Sequence, residues 1–340
     1  MTAFIYRKCS KELKDSKAIG DDSLSTEKTE TFKILTLDGG GSKGFYSLGV
    51  LKEVEALVGC PLYEKFDLIY GTSTGAIIAS LLALGESVNF IYDLYIKYIP
   101  AIMGEKKPSL RTAKLKELAK EVYGNKRFDS FKTNIGIVTT NWLTKTPKIF
   151  KANIGQAHGS VGTFVPGFGC YIRDAVAASC SAFPFFDRLT FHNLENEEFE
   201  CIDGGFCANN PTLYAITDVE LAFKISRENI KLLSIGTGEY VDVPPSLKLQ
   251  TATCLGRIFV NKQINTNTIN RILEVNVQSM DQLRRIIYGD IETVRISDSF
   301  PSKDLATNLM ETDIAKLKKL HQNGRNSFSK YESEIKKIIL

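Results

Sequence analysis

Short runs of β-branched residues and leucine alternate along this chain with longer segments in which apolar residues recur every three or four positions. The short runs predict buried strands and the longer segments predict amphipathic helices, because side chains repeat every second residue in a strand and about every 3.6 residues in a helix. The predicted strands are Lys33–Leu37, Phe66–Tyr70, Ile135–Thr139, Pro147–Ala152, Glu200–Ile202, Lys231–Ile235 and Glu292–Ile296. The predicted helices are Lys43–Val58, Gly75–Leu84, Asp174–Ser179, Asn210–Phe223, Gln278–Ile287 and Thr312–Asn323. Strands and helices in this order are typical of an α/β fold with parallel strands joined by helices.

The two ends of the chain differ from this pattern. Residues 7–31 are polar, carry charges of both signs and show little apolar periodicity, which predicts a flexible N-terminal arm over residues 1–31. A solvated tail is the simpler interpretation of the arm, and an oligomer contact or a lid is the alternative. We expect the main domain to span residues 32–298 and a helical C-terminal extension to span residues 299–340.

The composition is that of an ordinary globular protein. Of the 340 residues, 43% are hydrophobic and 24% are charged, which excludes a disordered, collagen-like or low-complexity chain. The 43 lysines and arginines nearly balance 39 acidic residues, for a net charge of +4. That balance argues against a dedicated nucleic-acid-binding protein, so we expect no nucleic-acid polymer as a partner, and any anionic partner must bind to a local patch.

Cysteine usage and apolar stretches indicate the compartment. The seven cysteines are scattered and include no Cys-x-x-Cys pair and no spacing to histidine that is typical of a metal site, so we expect reduced thiols and no bound metal. The N-terminus lacks the apolar core of a signal peptide, and the longest apolar stretch, Ala76–Leu84, is far shorter than the roughly 20 residues that span a bilayer. We expect a cytoplasmic protein.

A glycine-rich turn, Leu-Asp-Gly-Gly-Gly-Ser-Lys-Gly at positions 37–44, separates the first predicted strand from the first predicted helix. Gly39, Gly40 and Gly41 remove three successive side chains, so backbone N–H groups at the start of a helix can point at a negatively charged atom. Gly39, Gly41 and Gly44 also match the Gly-x-Gly-x-x-Gly pattern of dinucleotide-binding proteins. That interpretation needs an acidic residue at the tip of the second strand to bind a ribose, and the strand ends in Gly-Thr-Ser-Thr-Gly instead.

This second turn, at positions 71–75, has the Gly-x-Ser-x-Gly spacing of a nucleophile elbow. An apolar strand precedes it and a very apolar helix follows it, which is the setting that such an elbow requires. Ser73 is therefore the predicted nucleophile, at a helix N-terminus whose dipole stabilises an oxyanion. The alternative is a loop serine without chemistry.

An activated serine needs a base within hydrogen-bonding distance. The three histidines lie in settings that favour surface or loop roles: His158 in a glycine-rich loop, His192 in an acidic loop and His321 on a charged helix. Asp203 is the better candidate, because it follows a short predicted strand and two glycines after it permit a tight turn. Taken alone, Asp-Gly-Gly also fits an ordinary turn.

Together, the three turns resemble those of the patatin-like phospholipases, a family of lipid acyl hydrolases. The resemblance covers roughly residues 32–296 and includes the blocks Asp-Gly-Gly-Phe-Cys-Ala-Asn-Asn-Pro at 203–211 and Ser-Ile-Gly-Thr-Gly at 234–238. It implies a three-layer α/β fold whose mostly parallel central sheet is flanked by helices. It also implies phospholipase A-type hydrolysis of phospholipid esters, with no cofactor.

The resemblance further implies roles for individual residues. Ser73 is then the nucleophile of a catalytic dyad and Asp203 its base, and the N–H groups of Gly39, Gly40 and Gly41 form the oxyanion hole. The residues expected to support these motifs are Lys43, Gly44, Gly71, Gly75, Gly204 and Gly205. Arginine is frequent in the family where this chain has Lys43, so the contacts of that lysine stay open.

A second resemblance concerns residues 168–186, the stretch that contains Ala-Ala-Ser-Cys-Ser-Ala-Phe-Pro. It is similar to the patatin-like effectors of bacterial anti-phage signalling, which a cyclic nucleotide activates to degrade membrane phospholipid. This likeness implies a cyclic-nucleotide activator as a partner and a role in antiviral defence. The alternative interpretation is that the stretch only packs a helix and a proline-terminated loop beside the active site.

Residues 97–132 carry a net charge of +6, more than the whole chain. Apolar residues are interleaved with these charges at Ile99, Ile102, Leu110, Leu115, Leu118 and Val122. The pattern predicts a pair of amphipathic cap helices that bind a phospholipid membrane surface peripherally when the enzyme is active. A solvated helical surface is the alternative, and the same basic residues would also suit the phosphates of a nucleotide activator.

Three functions remain open at this point. They are a phospholipase that is latent until a cyclic nucleotide binds, a constitutive lysophospholipase or esterase, and a nucleotide-binding module without catalysis. The third leaves Ser73 and Asp203 unexplained, and a short distance between their side chains would separate it from the others. A second basic pocket apart from Ser73 would favour the first. The sequence also leaves homo-oligomerisation open.

Overall fold

The computed structural model describes residues 31–159, 161–240 and 261–340. Within these ranges the main sheet consists of β1 (Phe32–Leu37), β2 (Leu68–Thr72), β3 (Asn134–Asn141), β4 (Thr146–Lys151), β5 (Leu189–His192), β6 (Glu198–Asp203), β7 (Ile230–Ile235) and β9 (Glu292–Ile296). The short strands β8 (Glu239–Tyr240) and β10 (Ser299–Phe300) pair with each other. Strands β3, β2, β1, β7 and β9 run parallel in that order, whereas β4, β5 and β6 form antiparallel pairs at one side.

The helices lie on both faces of this sheet. They are α1 (Gly44–Val58), α2 (Thr74–Leu84), α3 (Val88–Met103), α4 (Pro108–Tyr123), α5 (Ile172–Ser179), α6 (Gly205–Ala208), α7 (Thr212–Thr217), α8 (Asn261–Ile287) and α9 (Ile314–Ile339). One apolar core joins Leu35 and Leu37 of β1 to α1–α5 and α9, and a second joins Ile34 of the same strand to α6 and α7. Alternate side chains of one strand thus enter different cores, as a sheet covered on both faces requires. The predicted three-layer α/β fold with a mostly parallel sheet is confirmed.

The lengths of three strands determine which loops meet. Strand β2 pairs with β3 as far as Thr72, which lies opposite Val138. The next residue of β3, Thr139, lies opposite Asp203, the last residue of antiparallel β6. Strands β2 and β6 therefore end next to each other along β3, and the loops that follow them come together.

Most predicted elements are confirmed to within a few residues, and the differences have physical causes. Helix α9 continues past its predicted end at residue 323 because Gly324 is a packing position: a Cβ there would clash with the carbonyl oxygen of Tyr46 in α1. Helix α8 begins well before the predicted Gln278, although its first turns are rich in asparagine and threonine, which have low helix propensity. The helix predicted over residues 210–223 is instead α7 followed by a π-helical turn, Asp218–Ala222.

Two sequence predictions cannot be compared with the fold. The N-terminal arm lies outside the described residues except for Thr31. The domain boundary at residue 298 stays a prediction. Within the described ranges, no helix combines the length and the apolar character needed to cross a membrane.

Candidate active site

Ser73 and Asp203, which are 130 residues apart in sequence, form a direct hydrogen bond. Ser73 Oγ donates to Asp203 Oδ2 at 2.6 Å, and both residues are nearly inaccessible to solvent. The contact follows from the sheet, because Ser73 comes directly after β2 and Asp203 ends β6, and both strands stop at the same place along β3. The two predicted catalytic residues are therefore brought together.

The backbone at Ser73 has the strained geometry of an elbow. Its φ of 53° and ψ of −122° lie in a region that non-glycine residues rarely occupy, and such strain persists only where the surroundings enforce it. Gly71 and Gly75 permit the sharp turn: a Cβ on Gly71 would clash with the carbonyl of Gly75, and a Cβ on Gly75 with that of Leu37. The Ser73 N–H is fixed by Ser179 Oγ at 2.9 Å.

Burial changes the acid–base chemistry of Asp203. Desolvation raises the pKa of its carboxyl group from 3.8 to about 7, although the hydrogen bonds from Ser73 and from the backbone of Gly205 oppose the rise. The Gly205 N–H donates to Asp203 Oδ1 at 2.7 Å, which orients the carboxyl group so that Oδ2 faces Ser73. Gly204 anchors the same turn by donating its N–H to the carbonyl of Ser179 at 3.3 Å.

The three histidines have partners other than Ser73. His158 Nε2 lies 2.6 Å from Asp218 Oδ1, and His192 Nε2 lies 3.5 Å from Glu198. The ring of His321 packs against Tyr92, and burial lowers its pKa to about 4. These contacts agree with the choice of Asp203 over a histidine as the partner of Ser73.

The glycine turn lies beside the dyad, but its three N–H groups are not equivalent. Gly39 donates its N–H to the carbonyl of Asn209 at 2.9 Å, so this donor is already used. Gly40 and Gly41 line the same cavity as Ser73, and among the described residues neither of their N–H groups has an acceptor. Only Gly40 and Gly41 are therefore free to donate to a bound oxyanion.

An ion pair holds the start of this turn. Asp38 accepts two hydrogen bonds from the Arg295 guanidinium, one of them at 2.9 Å, and both residues are almost fully buried. Ser234 accepts a further bond from Arg295 at 2.8 Å. Because the pair is bidentate, it fixes the direction in which the chain leaves β1 and enters the glycine turn.

The remaining motif residues have supporting positions. Lys43 does not contact the dyad; its Nζ lies 3.7 Å from Glu274 in α8. Gly44 begins α1 and packs closely against Thr74 and Tyr95, where a side chain would not fit. Lys43 thus links the glycine turn to α8, a contact that sequence motifs alone do not predict.

An apolar cavity opens in front of Ser73. Asp203, Gly40 and Gly41 form its polar end together with the serine. Helices α3 and α4 supply much of the apolar wall through Ile99, Ile102, Met103 and Leu115, and the loop after α5 adds Phe185 and Phe186. The two helices of the predicted cap segment thus turn much of their apolar side inward, whereas Leu110, Lys106 and Lys107 remain exposed.

A second cavity lies on another side of α4. It is lined by Lys116 and Lys120 of α4, by Arg173 and Asp174 of α5, and by Phe191 of β5. Three positive charges face one carboxylate there, so the cavity favours an anion. This is the second basic pocket that the sequence analysis named as a sign of ligand control.

Sequence reasoning missed several residues that complete the site. Asn209 accepts the N–H of Gly39 in the glycine turn, and Ser179 accepts the N–H of Ser73. Both residues lie inside sequence blocks that carried a family resemblance, but the sequence analysis gave neither of them a role. Arg295 was missed because its partner, Asp38, is 257 residues away. Among the described residues, no group of three or more histidine, cysteine or acidic side chains is arranged to bind a metal ion.

Comparison with known proteins identifies relatives. A family model described as "Patatin-like phospholipase" matches residues 35–216, which include Ser73 and Asp203. A protein of Escherichia coli named "cUMP-AMP-activated phospholipase" is 47% identical over 325 residues, covering 95% of this chain and 99% of that protein. A "cGAMP-activated phospholipase" of Vibrio cholerae is 28% identical over 245 residues, covering 63% of this chain and 66% of that protein.

Proposed function

The chain belongs to the patatin-like phospholipase family, and from this membership and the geometry at Ser73 we propose that it is a phospholipase A-type acyl hydrolase with a Ser73–Asp203 dyad. The observation that carries the proposal is the 2.6 Å hydrogen bond between Ser73 Oγ and Asp203 Oδ2. A nucleotide-binding module without catalysis has no use for this buried pair. Strand β2 also ends in Thr72 and offers no carboxylate for a ribose.

In the first step, Asp203 takes the proton of Ser73 as the serine oxygen attacks an ester carbonyl. A carboxylate with an ordinary pKa is a weak base, but the pKa of Asp203, raised to about 7 by burial, is close to neutral pH. The residue is therefore a stronger base than an exposed aspartate and is still partly ionised at pH 7. The hydrogen bond from Gly205 keeps its second oxygen out of the reaction.

The negative charge that develops on the carbonyl oxygen needs hydrogen-bond donors in the cavity. We assign this role to the N–H groups of Gly40 and Gly41 and give Gly39 the task of closing the turn onto Asn209. The N-terminus of α2, directly after Ser73, adds the positive end of a helix dipole. Donors fixed in advance stabilise the tetrahedral intermediate without reorganisation.

Collapse of this intermediate breaks the ester bond. The departing lipid alkoxide takes the proton from Asp203, and the acyl group remains bound to Ser73 Oγ. Water then attacks the acyl-enzyme while Asp203 accepts a proton from it, and the fatty acid leaves as Asp203 passes that proton to Ser73 Oγ. Both halves use the same pair of residues and the same two N–H donors.

The apolar cavity suits the acyl chain of a lipid. Its wall is built from Ile99, Ile102, Leu115 and phenylalanines at 185 and 186, which bind an alkyl chain by excluding water. Because Ser73 lies at one end of this wall, an acyl chain bound there presents its ester carbonyl to the serine.

Membrane binding is proposed for the end of α4 that lies next to this cavity. Arg111 donates a 3.0 Å hydrogen bond to the carbonyl of Phe185, so the start of α4 is tied to the cavity wall. Exposed Lys106, Lys107 and Leu110 lie at or just before that start. Lysines with an exposed leucine favour an anionic phospholipid surface, and docking here brings the lipid to the cavity.

Activation by a cyclic nucleotide is extended to this chain from its relatives, whose names state activation by cUMP-AMP and by cGAMP. Lys116, Lys120 and Arg173 supply cations for two phosphates, and Phe191 supplies a ring on which a base can stack. The enzyme is then a latent effector that degrades membrane phospholipid when an antiviral signal is present. Constitutive hydrolysis is the competing possibility.

Mass spectrometry of the products tests these proposals. The full chain is incubated with vesicles of mixed phospholipids, with and without cUMP-AMP, next to Ser73→Ala. Free fatty acid and lysophospholipid that appear only with wild-type protein and cUMP-AMP support both parts of the proposal. Equal hydrolysis without the nucleotide would support a constitutive lipase, and no hydrolysis of any lipid or soluble ester under either condition would contradict the acyl hydrolase.

A further inference from the structure

Helix α8 carries an exposed apolar stripe along its length. The exposed fractions of its apolar side chains are high: 53% for Ile272, 67% for Val275, 40% for Leu283 and 70% for Ile286. These side chains are therefore only partly packed against the rest of the described structure. These positions recur at the three- and four-residue spacing that puts side chains on one helical face. The stripe extends over about 21 Å at about 1.5 Å per residue, and such a continuous apolar surface is typical of an interaction site.

The stripe is symmetric about Ser279. Ile272 and Ile286 lie seven residues before and after this serine, and Val275 and Leu283 lie four residues before and after it. If a second copy of α8 packs antiparallel with the two Ser279 residues at the crossing point, each isoleucine meets an isoleucine and each valine meets a leucine. The exposed serine is small enough to let the two helix backbones come close at the centre.

The charges at the two ends of the stripe favour the same arrangement. Arg271 stands at one end and Asp290 just past the other end of α8; both are exposed, and Asp290 also pairs with Arg227 at 3.4 Å. An antiparallel copy brings each arginine near the aspartate of its partner, whereas a parallel copy puts like charges together. Two-fold symmetry of this kind makes a surface complementary to itself.

A membrane fits this surface less well than a second copy. Between residues 269 and 290, three arginines are balanced by three acidic residues, and Arg284 and Arg285 are both paired with Asp281. Helices that lie on anionic lipid instead carry an excess of lysine and arginine beside their apolar face. The α8 stripe has the apolar residues of an amphipathic membrane helix without the charge.

We propose that the α8 stripe is a homodimer interface in which two copies of the chain pair through antiparallel α8 helices centred on Ser279. The same helix also contributes to the active site: Leu273 lines the apolar cavity, and Asn276 accepts the N–H of Asn209 at 2.8 Å. The interface is thus formed by a helix that also supports the glycine turn.

Paired charge substitutions test whether the two α8 helices pack antiparallel with Ser279 at the centre. Sedimentation equilibrium of the full wild-type chain at about 50 μM should give twice the 37.8 kDa chain mass. Val275→Glu and Leu283→Lys should each weaken the dimer by about 100-fold or more, because each variant buries an uncompensated charge. An equimolar mixture of the two variants should dimerise again, since the introduced carboxylate then faces the introduced ammonium. Leu143→Glu, at another highly exposed leucine, is the matched control and should remain dimeric.

Circular dichroism of every variant checks that the fold is kept, and position 275 is exposed enough to accept glutamate. A wild-type protein that is monomeric at 50 μM would overturn the proposal, as would a dimer that persists in Val275→Glu. Failure of the mixture to dimerise would contradict the antiparallel register. If wild type is monomeric and Val275→Glu instead loses binding to anionic vesicles, the stripe is a lipid surface and the proposal is wrong.

Discussion

The backbone N–H of Gly39 donates a hydrogen bond of 2.9 Å to the carbonyl of Asn209, which joins the glycine turn directly to the loop after Asp203. The Asn209 side chain adds a second contact, with Nδ2 3.4 Å from the carbonyl oxygen of Gly39. The oxyanion donors and the catalytic base therefore belong to one hydrogen-bonded unit. Displacing one of the two loops should move the other, so effects on catalysis should extend beyond the residue that is changed.

Removal of either dyad residue should abolish ester hydrolysis. Ser73→Ala and Asp203→Asn should each lower kcat on a soluble short-chain ester by at least about 10³-fold, and the double variant should be little worse, because both side chains act on one proton transfer. His158→Ala is the control and should stay within about tenfold of wild type, since His158 pairs with Asp218. Near wild-type activity of Asp203→Asn would exclude the dyad.

Activity should increase with pH as Asp203 ionises. We expect kcat/KM for a soluble ester to rise about tenfold per pH unit below pH 7 and to level off above it, because the pKa of the base is raised to about 7 by burial. A profile that levels off near pH 4 would contradict a buried base.

The contribution of Asp203 to the stability of the fold should change with pH in the opposite direction. The folded-state pKa of Asp203 is above its unfolded value, so between about pH 4 and pH 7 this carboxyl group binds more protons in the folded protein, and its contribution to the free energy of unfolding falls as pH rises. Asp203→Asn cannot ionise and should therefore raise Tm relative to wild type more at pH 8 than at pH 5. Equal changes in Tm at the two pH values would show that the charge of Asp203 is not destabilising.

Substitution at Gly40 should affect kcat more than KM. A Cβ at this position would lie 2.6 Å from Thr237 Cγ2, so alanine pushes the glycine turn away from the cavity and misplaces an N–H donor. Losing one such donor typically costs roughly 10²–10³-fold in kcat. Thr237→Ala removes the clashing atoms, and the double variant should recover much of the lost kcat. No recovery would mean that alanine at position 40 lowers kcat for a reason other than its contact with Thr237.

The preference of the enzyme for acyl-chain length should depend on residues that separate two apolar cavities. Ile77, Ile99 and Leu115 line both the cavity at Ser73 and a second apolar cavity between α2, α3 and α4. Leu115→Ala should open one cavity into the other and shift the preference among p-nitrophenyl esters towards longer chains. Leu118→Ala removes the same atoms from a residue that lines only the apolar cavity between α2, α3 and α4. The chain-length preference of this variant should therefore stay close to that of wild type. Both variants should lose about 2–5 kcal/mol of stability.

The sequence predicts those parts of the site that depend on neighbouring residues. Ser73 and its elbow follow from five consecutive residues and their flanking apolar segments, and Asp203 stands in a similarly local turn. The sequence named Asp203 as the candidate base and the family resemblance implied the dyad, but the cause of the pairing lies in the sheet, where Thr72 and Asp203 face consecutive residues of β3. The hydrogen bond between Gly39 and Asn209 and the early start of α8 depend on tertiary contacts. Hydrophobic periodicity and helix propensity do not predict such contacts.

Basic residues on α4 and just before it are proposed for two different partners, and two matched pairs of substitutions can separate them. Lys106→Glu/Lys107→Glu changes exposed lysines beside the cavity wall, whereas Lys116→Glu/Lys120→Glu changes lysines that line the basic cavity. Each pair reverses the same number of charges on the same part of the chain. Any effect of net charge alone should therefore be equal in the two variants.

We expect the first pair to weaken binding to anionic vesicles by about 1 kcal/mol per removed positive charge, and salt to weaken wild-type binding in the same way, because exposed charges are screened over about 8 Å at 0.15 M. Its stimulation by cUMP-AMP on a soluble ester should be unchanged. The Lys116→Glu/Lys120→Glu variant should bind vesicles more nearly like wild type. It should lose the stimulation by cUMP-AMP, because the phosphates of the nucleotide then meet carboxylates. Calorimetric titration with cUMP-AMP measures this loss directly. If both pairs lose vesicle binding equally and both keep nucleotide stimulation, the basic cavity is not the activator site and the whole face of α4 acts as one electrostatic surface.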